Sequence, residues 1–326
     1  MSDRSTAGSI SLTLLATALA LTACAPKSDT TQQPATPAAT AAAPASQADG
    51  VKSFTVGELP AMALRDGGLD FPNDTKTFGV GRTPEEIAAL LAAAGAPTDK
   101  LSLSIQPLLV KTADKVLLFD TGAGTNMGPS GGGLPASMAA AGVDPQSITD
   151  VFISHAHGDH VGGLLNAQAT LAFPNAAIHI SAPEWAFLKG MDAKTAAGVG
   201  IAQHPQLIAA IEPKVAAFAP GADLVAGVVK AVEVKGHTPG HSGYLITSGQ
   251  SSLLYVGDTV HHYIVSVQKP DWTINFDTDA PTAQVSRAAL LAQSAASGQR
   301  IYAVHFPFPG LGKFERRGDG VVWVPE

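Results

Sequence analysis

The chain has little cysteine: Cys24 is its only one in 326 residues. That excludes an intrachain disulfide and a cysteine-rich zinc site. Charge is scarce as well. Asp, Glu, Lys and Arg make up 14% of the chain, against about 25% in an average soluble protein. The formal net charge is −7, so no basic excess is available to neutralise phosphates, and nucleic acid is not an expected partner. The apolar stretch Ile10–Ala23 has 14 residues, too short to span a bilayer. What is present is an apolar fraction of 45%, enough to bury a core. Ten histidines and 27 carboxylates remain as candidate ligands or catalytic groups.

The stretch Ile10–Ala23 suits the core of a secretory signal. Cys24 follows at once, and Leu21-Thr22-Ala23-Cys24 resembles the bacterial lipobox. That resemblance implies a lipoprotein-type signal over 1–24 and lipidation of Cys24. The protein would then be exported, periplasmic or anchored to the outer membrane, and would meet the membrane only through that lipid. An ordinary signal peptide with an incidental cysteine is the plainer alternative. Residues 25–50 are rich in Ala, Pro and Thr, with no aromatic residue and no periodic apolar pattern. They read as a disordered tether, leaving 51–326 for the folded domain.

Within that domain, Phe54–Leu64 begins with alternation and reads as a strand. Leu101–Val110 and Lys115–Asp120 are apolar runs split by Thr112-Ala113-Asp114, a hairpin signal. The loop Asp120-Thr121-Gly122-Ala123-Gly124 lets the backbone approach something closely. Ala136–Ala141 reads as helix, and Asp144 before Pro145 as a helix cap. Val151–Ser154, Ala177–Ser181, Val215–Phe218, Lys230–Val234, Ser242–Thr247, Ser252–Val256 and Ile301–Val304 read as strands. Pro183–Leu188 starts a helix, and Thr282–Ala296 has helical periodicity. This alternation favours a layered α/β fold.

The segment His155-Ala156-His157-Gly158-Asp159-His160 holds three histidines and an aspartate. His155 and His157 are two apart and share a side of an extended stretch. Gly158 can redirect the chain before Asp159 and His160. One tight loop can thus offer two groups to one metal and two to a neighbouring one, and imidazole with carboxylate suits zinc.

This motif resembles the signature of the metallo-β-lactamase-fold hydrolases. His237 in Gly236-His237-Thr238-Pro239-Gly240-His241, Asp258 and His305 complete that family's pattern, each after an apolar run. The resemblance covers roughly Phe54 to the C-terminus. It implies a four-layer αβ/βα sandwich with two zinc ions in its groove, although the ligand set also admits manganese, iron or cobalt. His155, His157 and His237 would hold one ion, Asp159, His160 and His305 the other, and Asp258 would bridge. A metal-bridging hydroxide is the implied nucleophile, with Asp159 orienting it or passing a proton to the leaving group. Asp120 is expected to accept an N–H from a ligand imidazole, its plainer reading being a turn aspartate. His241 either supports a ligand or caps its loop.

The C-terminal third resembles methyl parathion hydrolase and its lactonase relatives, which act on dihydrocoumarin or acyl-homoserine lactones. Phe276-Asp277-Thr278-Asp279, the helix of Arg287 and Ala303–Gly312 carry the likeness, with Leu171–Ala176. His261 stands three residues after Asp258, where acyl-homoserine-lactone lactonases have a tyrosine and parathion-type enzymes an aliphatic residue. A histidine there can donate a hydrogen bond to a developing oxyanion. A lactone or aryl ester is therefore the expected small-molecule substrate, an organophosphate triester the alternative, and β-lactam hydrolysis a lesser one. Trp185, Trp272, Ile274 and Phe276 are expected to line the substrate pocket. The family resemblance also admits a homodimer.

Overall fold

The computed structural model describes residues 50–326. The expected signal, Cys24 and all but the last residue of the expected tether lie outside the described residues. From Gly50 the chain forms β1 (Val51–Val56), β2 (Leu59–Leu64), β3 (Gly67–Pro72), β4 (Phe78–Val80), α1 (Pro84–Ala93), β5 (Lys100–Ile105), β6 (Leu108–Lys111) and β7 (Val116–Phe119). Then come α2 (Leu134–Ala140), β8 (Asp150–Phe152), the single turn α3 (Gly158–Val161), β9 (Ala177–Ser181), α4 (Ala182–Gly190), α5 (Ala193–Gly198) and α6 (His204–Ile211). The second half contains β10 (Val215–Phe218), β11 (Asp223–Val225), β12 (Val229–Glu233), β13 (Ser242–Ser248), β14 (Ser251–Tyr255), α7 (Val265–Gln268), β15 (Thr273–Ile274), α8 (Ala280–Ser297), β16 (Arg300–Tyr302), β17 (Leu311–Arg317) and β18 (Gly320–Pro325).

Two large sheets face each other. Their strand orders are β1-β2-β6-β7-β8-β9-β10 and β11-β12-β13-β14-β16-β17-β18. Alternation along each central strand explains why they stack. On β6 and β7, Leu108, Val110, Leu117 and Phe119 point into the core between the sheets. Leu109 and Leu118 point the other way, under α2, α4 and α6, where Leu134, Leu188 and Leu207 cover them. On β14, Leu253 and Tyr255 join the central core, and Leu254 packs toward Leu290 and Leu291 of α8. A strand buried on both faces reads as an unbroken apolar run, as these do in the sequence. The outcome is the four-layer αβ/βα sandwich.

β7, β8, β9 and β10 run parallel, as do β14 and β16. Their C-terminal ends open on one edge of the sandwich, which is where α/β sheets build sites. Gln106 ties this edge together, because its buried amide donates to Ala303 O and Phe306 O, both at 3.0 Å.

The structure departs from the sequence expectation in three places. Phe54–Leu64 is a hairpin rather than one strand: β1 and β2 pair antiparallel, and Gly57 turns between them at φ +57°. The run Leu101–Val110 divides at Gln106-Pro107. β5 then pairs with β3 in a small separate sheet, and β6 joins the first large sheet. Proline has no N–H to continue a ladder. Finally, α1, α5, α6 and the β17–β18 hairpin, with the short elements β3, β4, β11, α7 and β15, have no counterpart in the sequence reading. Helix α1 opens with a capping box in which Thr83 Oγ1 accepts the Glu86 N–H and Glu86 Oε2 accepts the Thr83 N–H.

Phe119 is fully buried and stacks on Phe152 at 5.0 Å between ring centres. Phe119→Ala is expected to cost about 3–5 kcal/mol of stability, as large-to-small core substitutions do. Urea denaturation checks this, and an unchanged midpoint would contradict the packing described.

Candidate metal centre

The motif loop leaves β8 and reaches α3 at Gly158. Glycine is needed there for close approach: a Cβ would sit 2.2 Å from Gly200 O, and the Gly158 N–H donates to Val199 O. The loop after β12 brings His237, the turn after β14 brings Asp258, and the loop after β16 brings His305.

These side chains meet in two groups. His155, His157, His237 and Asp258 form one; Asp159, His160 and His305 form the other. His237 Nε2 lies 3.1 Å from His155 Nε2 and 3.0 Å from His157 Nδ1. Asp258 stands between the groups. Its Oδ2 is 3.7 Å from His155 Nε2 and 3.4 Å from His237 Nε2. Its Oδ1 is 3.3 Å from His160 Nε2 and 3.1 Å from His305 Nε2. Asp159 Oδ2 lies 3.6 Å and 3.5 Å from the same two nitrogens.

Acceptors behind the rings fix the proton positions. His155 Nδ1 faces Ser154 Oγ at 3.0 Å, His160 Nδ1 faces Asp120 Oδ2 at 2.7 Å, His237 Nδ1 faces Asp277 Oδ1 at 3.0 Å and His305 Nδ1 faces Ser104 O at 2.7 Å. With the proton held on Nδ1, each Nε2 presents a lone pair inward. Two inward lone pairs 3.1 Å apart repel unless a cation lies between them. A tetrahedral ion with metal–nitrogen bonds of about 2.0–2.1 Å spaces its ligands by about 3.3 Å, close to what these nitrogens show. Among the described residues, His160 Nε2 and Asp258 Oδ1 are buried without a hydrogen-bond partner. The donor set therefore fits divalent metal.

Asp120 accepts from the Ser154 N–H at 2.7 Å and its hydroxyl at 2.6 Å, and from the Tyr255 hydroxyl and His160 Nδ1 at 2.7 Å each. It does so from a left-handed φ of +55°, which aspartate tolerates better than most residues. Of the two roles open for His241, the ring binds backbone on both sides. Nδ1 donates to Val234 O at 3.0 Å and Nε2 accepts the Asp258 N–H at 2.9 Å. His241 thus caps its loop and fixes the backbone of the central aspartate. His261 is buried with Nε2 3.2 Å from Asp258 Oδ2; neither ring nitrogen has a hydrogen-bond partner among the described residues.

A cavity of about 580 Å³ opens above these groups. His157, Asp159, Asp258, His261 and His305 form its floor, and Leu69, Phe71, Leu103, Met127, Val199 and Phe276 its apolar walls. Among the described residues, no lysine or arginine lines it. Phe276 is the one expected pocket residue that reaches it. Trp185 instead packs against the core beneath the first sheet, with Lys189 Nζ 5.0 Å from its ring centre. Trp272 and Ile274 are buried with Ile87, Leu91 and Val265. Their apolar surface is used by the domain's own packing.

Two supports escaped the sequence reading. Arg287 is fully buried, donating to Asp277 Oδ2 at 2.8 Å, Thr259 O at 2.8 Å and Pro270 O at 3.1 Å. Burial would raise the Asp277 carboxyl, but His237 and Arg287 bring it down to about 2, so it stays ionised behind the His237 ring. Glu184 is also wholly buried, and burial pushes it up to about 7 despite three hydrogen bonds to it. Neither had a spacing signal, since each acts across the fold.

The family profile of the metallo-beta-lactamase superfamily matches residues 104–305. Among solved structures, AidC, a dizinc quorum-quenching lactonase in complex with a homoserine product, is 32% identical, with 85% of this chain and 97% of that chain covered and a TM-score of 0.79. The hydrolase AbOPH of the beta lactamase superfamily is 27% identical, covering 86% and 99%, with a TM-score of 0.76. A curated ribonuclease Z from Methanothermobacter thermautotrophicus is 32% identical over 66 residues, which is 20% of this chain and 19% of that protein.

Asp120→Asn would turn an amide NH2 toward either the Ser154 N–H or the His160 Nδ1–H, both of them donors. We expect it to cost about 1–3 kcal/mol of stability and about 10–100-fold in affinity for the ion beside His160. Thermal denaturation and chelator competition measure the two effects, and wild-type values in both would deny Asp120 its orienting role.

Proposed function

The chain belongs to the metallo-beta-lactamase superfamily, and from that premise we propose that it is a dizinc hydrolase of lactones or aryl esters. The observation that carries this reading is the division of the Asp258 oxygens, Oδ2 toward His155 and His237, Oδ1 toward His160 and His305. His155, His157 and His237 would hold one ion, Asp159, His160 and His305 the other, with Asp258 between. Bound there, two divalent ions supply Lewis acidity and a water activated at neutral pH.

The chain's own residues supply the rest. Apolar walls receive an acyl chain or aromatic ring and keep water out. Among the described residues the lining has carboxylates but no lysine or arginine, which disfavours an anionic substrate. His261, buried on the cavity floor with unpartnered ring nitrogens, is placed to donate to the oxygen on which charge develops. Asp159, on the same floor and partly exposed, can hold a proton for the leaving oxygen. The likeness to the AidC lactonase at 32% identity supports the lactone reading. Export and lipidation at Cys24 remain part of the proposal on the strength of the lipobox alone.

Steady-state kinetics test the substrate. The zinc-loaded protein is expected to turn over dihydrocoumarin or acyl-homoserine lactones well ahead of paraoxon and nitrocefin. Fast paraoxon hydrolysis with no lactone turnover would instead establish the phosphotriester reading. His261→Leu should lower lactone kcat by about 10²–10³, the usual cost of an oxyanion donor, and lower paraoxon turnover less. An equal loss on both would remove His261 from the chemistry.

A further inference from the structure

Helix α4 packs against the motif loop without contributing a ligand. Its cap, Ser181, accepts the Glu184 N–H at 3.3 Å and donates to Gly240 O at 2.6 Å. From the first turn, the Glu184 side chain reaches both loops that carry the first histidine group. Oε1 accepts the Ala156 N–H at 2.7 Å. Oε2 accepts the Thr238 hydroxyl and the Gly240 N–H at 2.8 Å each. Ala156 lies between His155 and His157, and Thr238 follows His237. The contact is close enough that a Cβ on Gly240 would lie 2.3 Å from Glu184 N.

We propose that Glu184 is a positioning residue which, by clamping Ala156 to Thr238 and Gly240, sets the spacing of His155, His157 and His237 and so the affinity of the first metal position. The inference rests on the dimetal reading above. Its reach is one-sided. His160 is held by Asp120 and His305 by Ser104 O, and none of the three bonds to Glu184 touches the residues carrying the second group. A carboxylate suits the task because all three partners are donors. Glutamine keeps the shape but turns an NH2 toward at least one of them, so a buried donor faces a donor.

Metal-free full-length protein reconstituted with zinc and with cobalt provides the test, read by metal analysis, chelator competition and the cobalt visible spectrum. Wild type is expected to bind two ions. Glu184→Gln should bind one of them about tenfold or more weakly, leave the other unchanged and alter only part of the cobalt spectrum. Thr238→Val removes one of the three bonds and should weaken the same ion by a smaller factor. Combined with Asp120→Asn, Glu184→Gln should weaken both ions. Unchanged affinities in Glu184→Gln, or equal weakening of both ions, would overturn the clamp while leaving the dimetal reading intact. Should Glu184→Gln fail to fold, Thr238→Val decides alone, with wild-type affinities overturning the proposal. A wild type that binds fewer than two ions would bring down the dimetal reading and the clamp with it.

Discussion

The buried carboxylate of Asp258, faced by five imidazoles, is the group around which the rest is arranged. Burying a charge is costly unless it is paired, and the rings around it do not pair it, because their protons are already committed to the outer nitrogens. Asp120, Asp277, Ser104 and Ser154 hold those outer protons, which forces the inner nitrogens to present lone pairs. The same arrangement makes the metal-free site unfavourable, with lone pairs facing lone pairs and Asp258 Oδ1 unpartnered. A cation at each group relieves both problems. The donor set and its orientation are thus one constraint, and the acceptors behind the rings belong to it as much as the rings do.

The sandwich meets that constraint through strand direction. Parallel neighbours β7, β8 and β9 put Asp120 and the motif loop on the same edge, and β14 beside parallel β16 puts Asp258 next to His305. The antiparallel pair β12–β13 delivers His237 and His241 from one short connection. Tyr255 shows how the layers join. It sits in the core between the sheets, yet its hydroxyl donates to Asp120 from the opposite sheet at 2.7 Å. Core packing and ligand orientation therefore share residues.

What the sequence discloses about this centre follows from locality. His155 to His160 are legible because six adjacent residues hold four residues of ligand type. His237, Asp258 and His305 are each legible as a ligand type after an apolar run, and only the family pattern links them. Glu184 and Arg287 carry no such mark, since their partners lie on other elements of the fold and their burial is a tertiary fact. Trp185 and Trp272 mislead for the converse reason: an aromatic near a loop is as readily consumed by its own domain's packing as offered to a ligand. The gap at 65–100 is of another kind. Thr83, Pro84 and Glu86 form a local capping signal of the sort that marks a helix start, and α1 was there to be read.

The centre and the cavity have different supports, and that separation bears on how the site can change. The ligands come from loops of the two large sheets. Leu69, Phe71 and Leu103 come from the small β3–β5 sheet, Val199 from the loop after α5 and Met127 from the loop after β7. Leu69 pairs directly with Leu103 across β3 and β5, so this wall is the face of a small two-stranded sheet outside the two large ones. Replacing one apolar wall residue by another leaves Asp120, Asp277 and Glu184 untouched and the inward lone pairs where they are. His261 is the exception. It lines the cavity and also lies 3.2 Å from Asp258, so a change there reaches substrate and carboxylate together. Walls carried by loops and a small peripheral sheet, set on a rigid ligand frame, are an arrangement by which one fold can carry several hydrolytic specificities. In this chain the frame ends, and the adjustable surface begins, at His261.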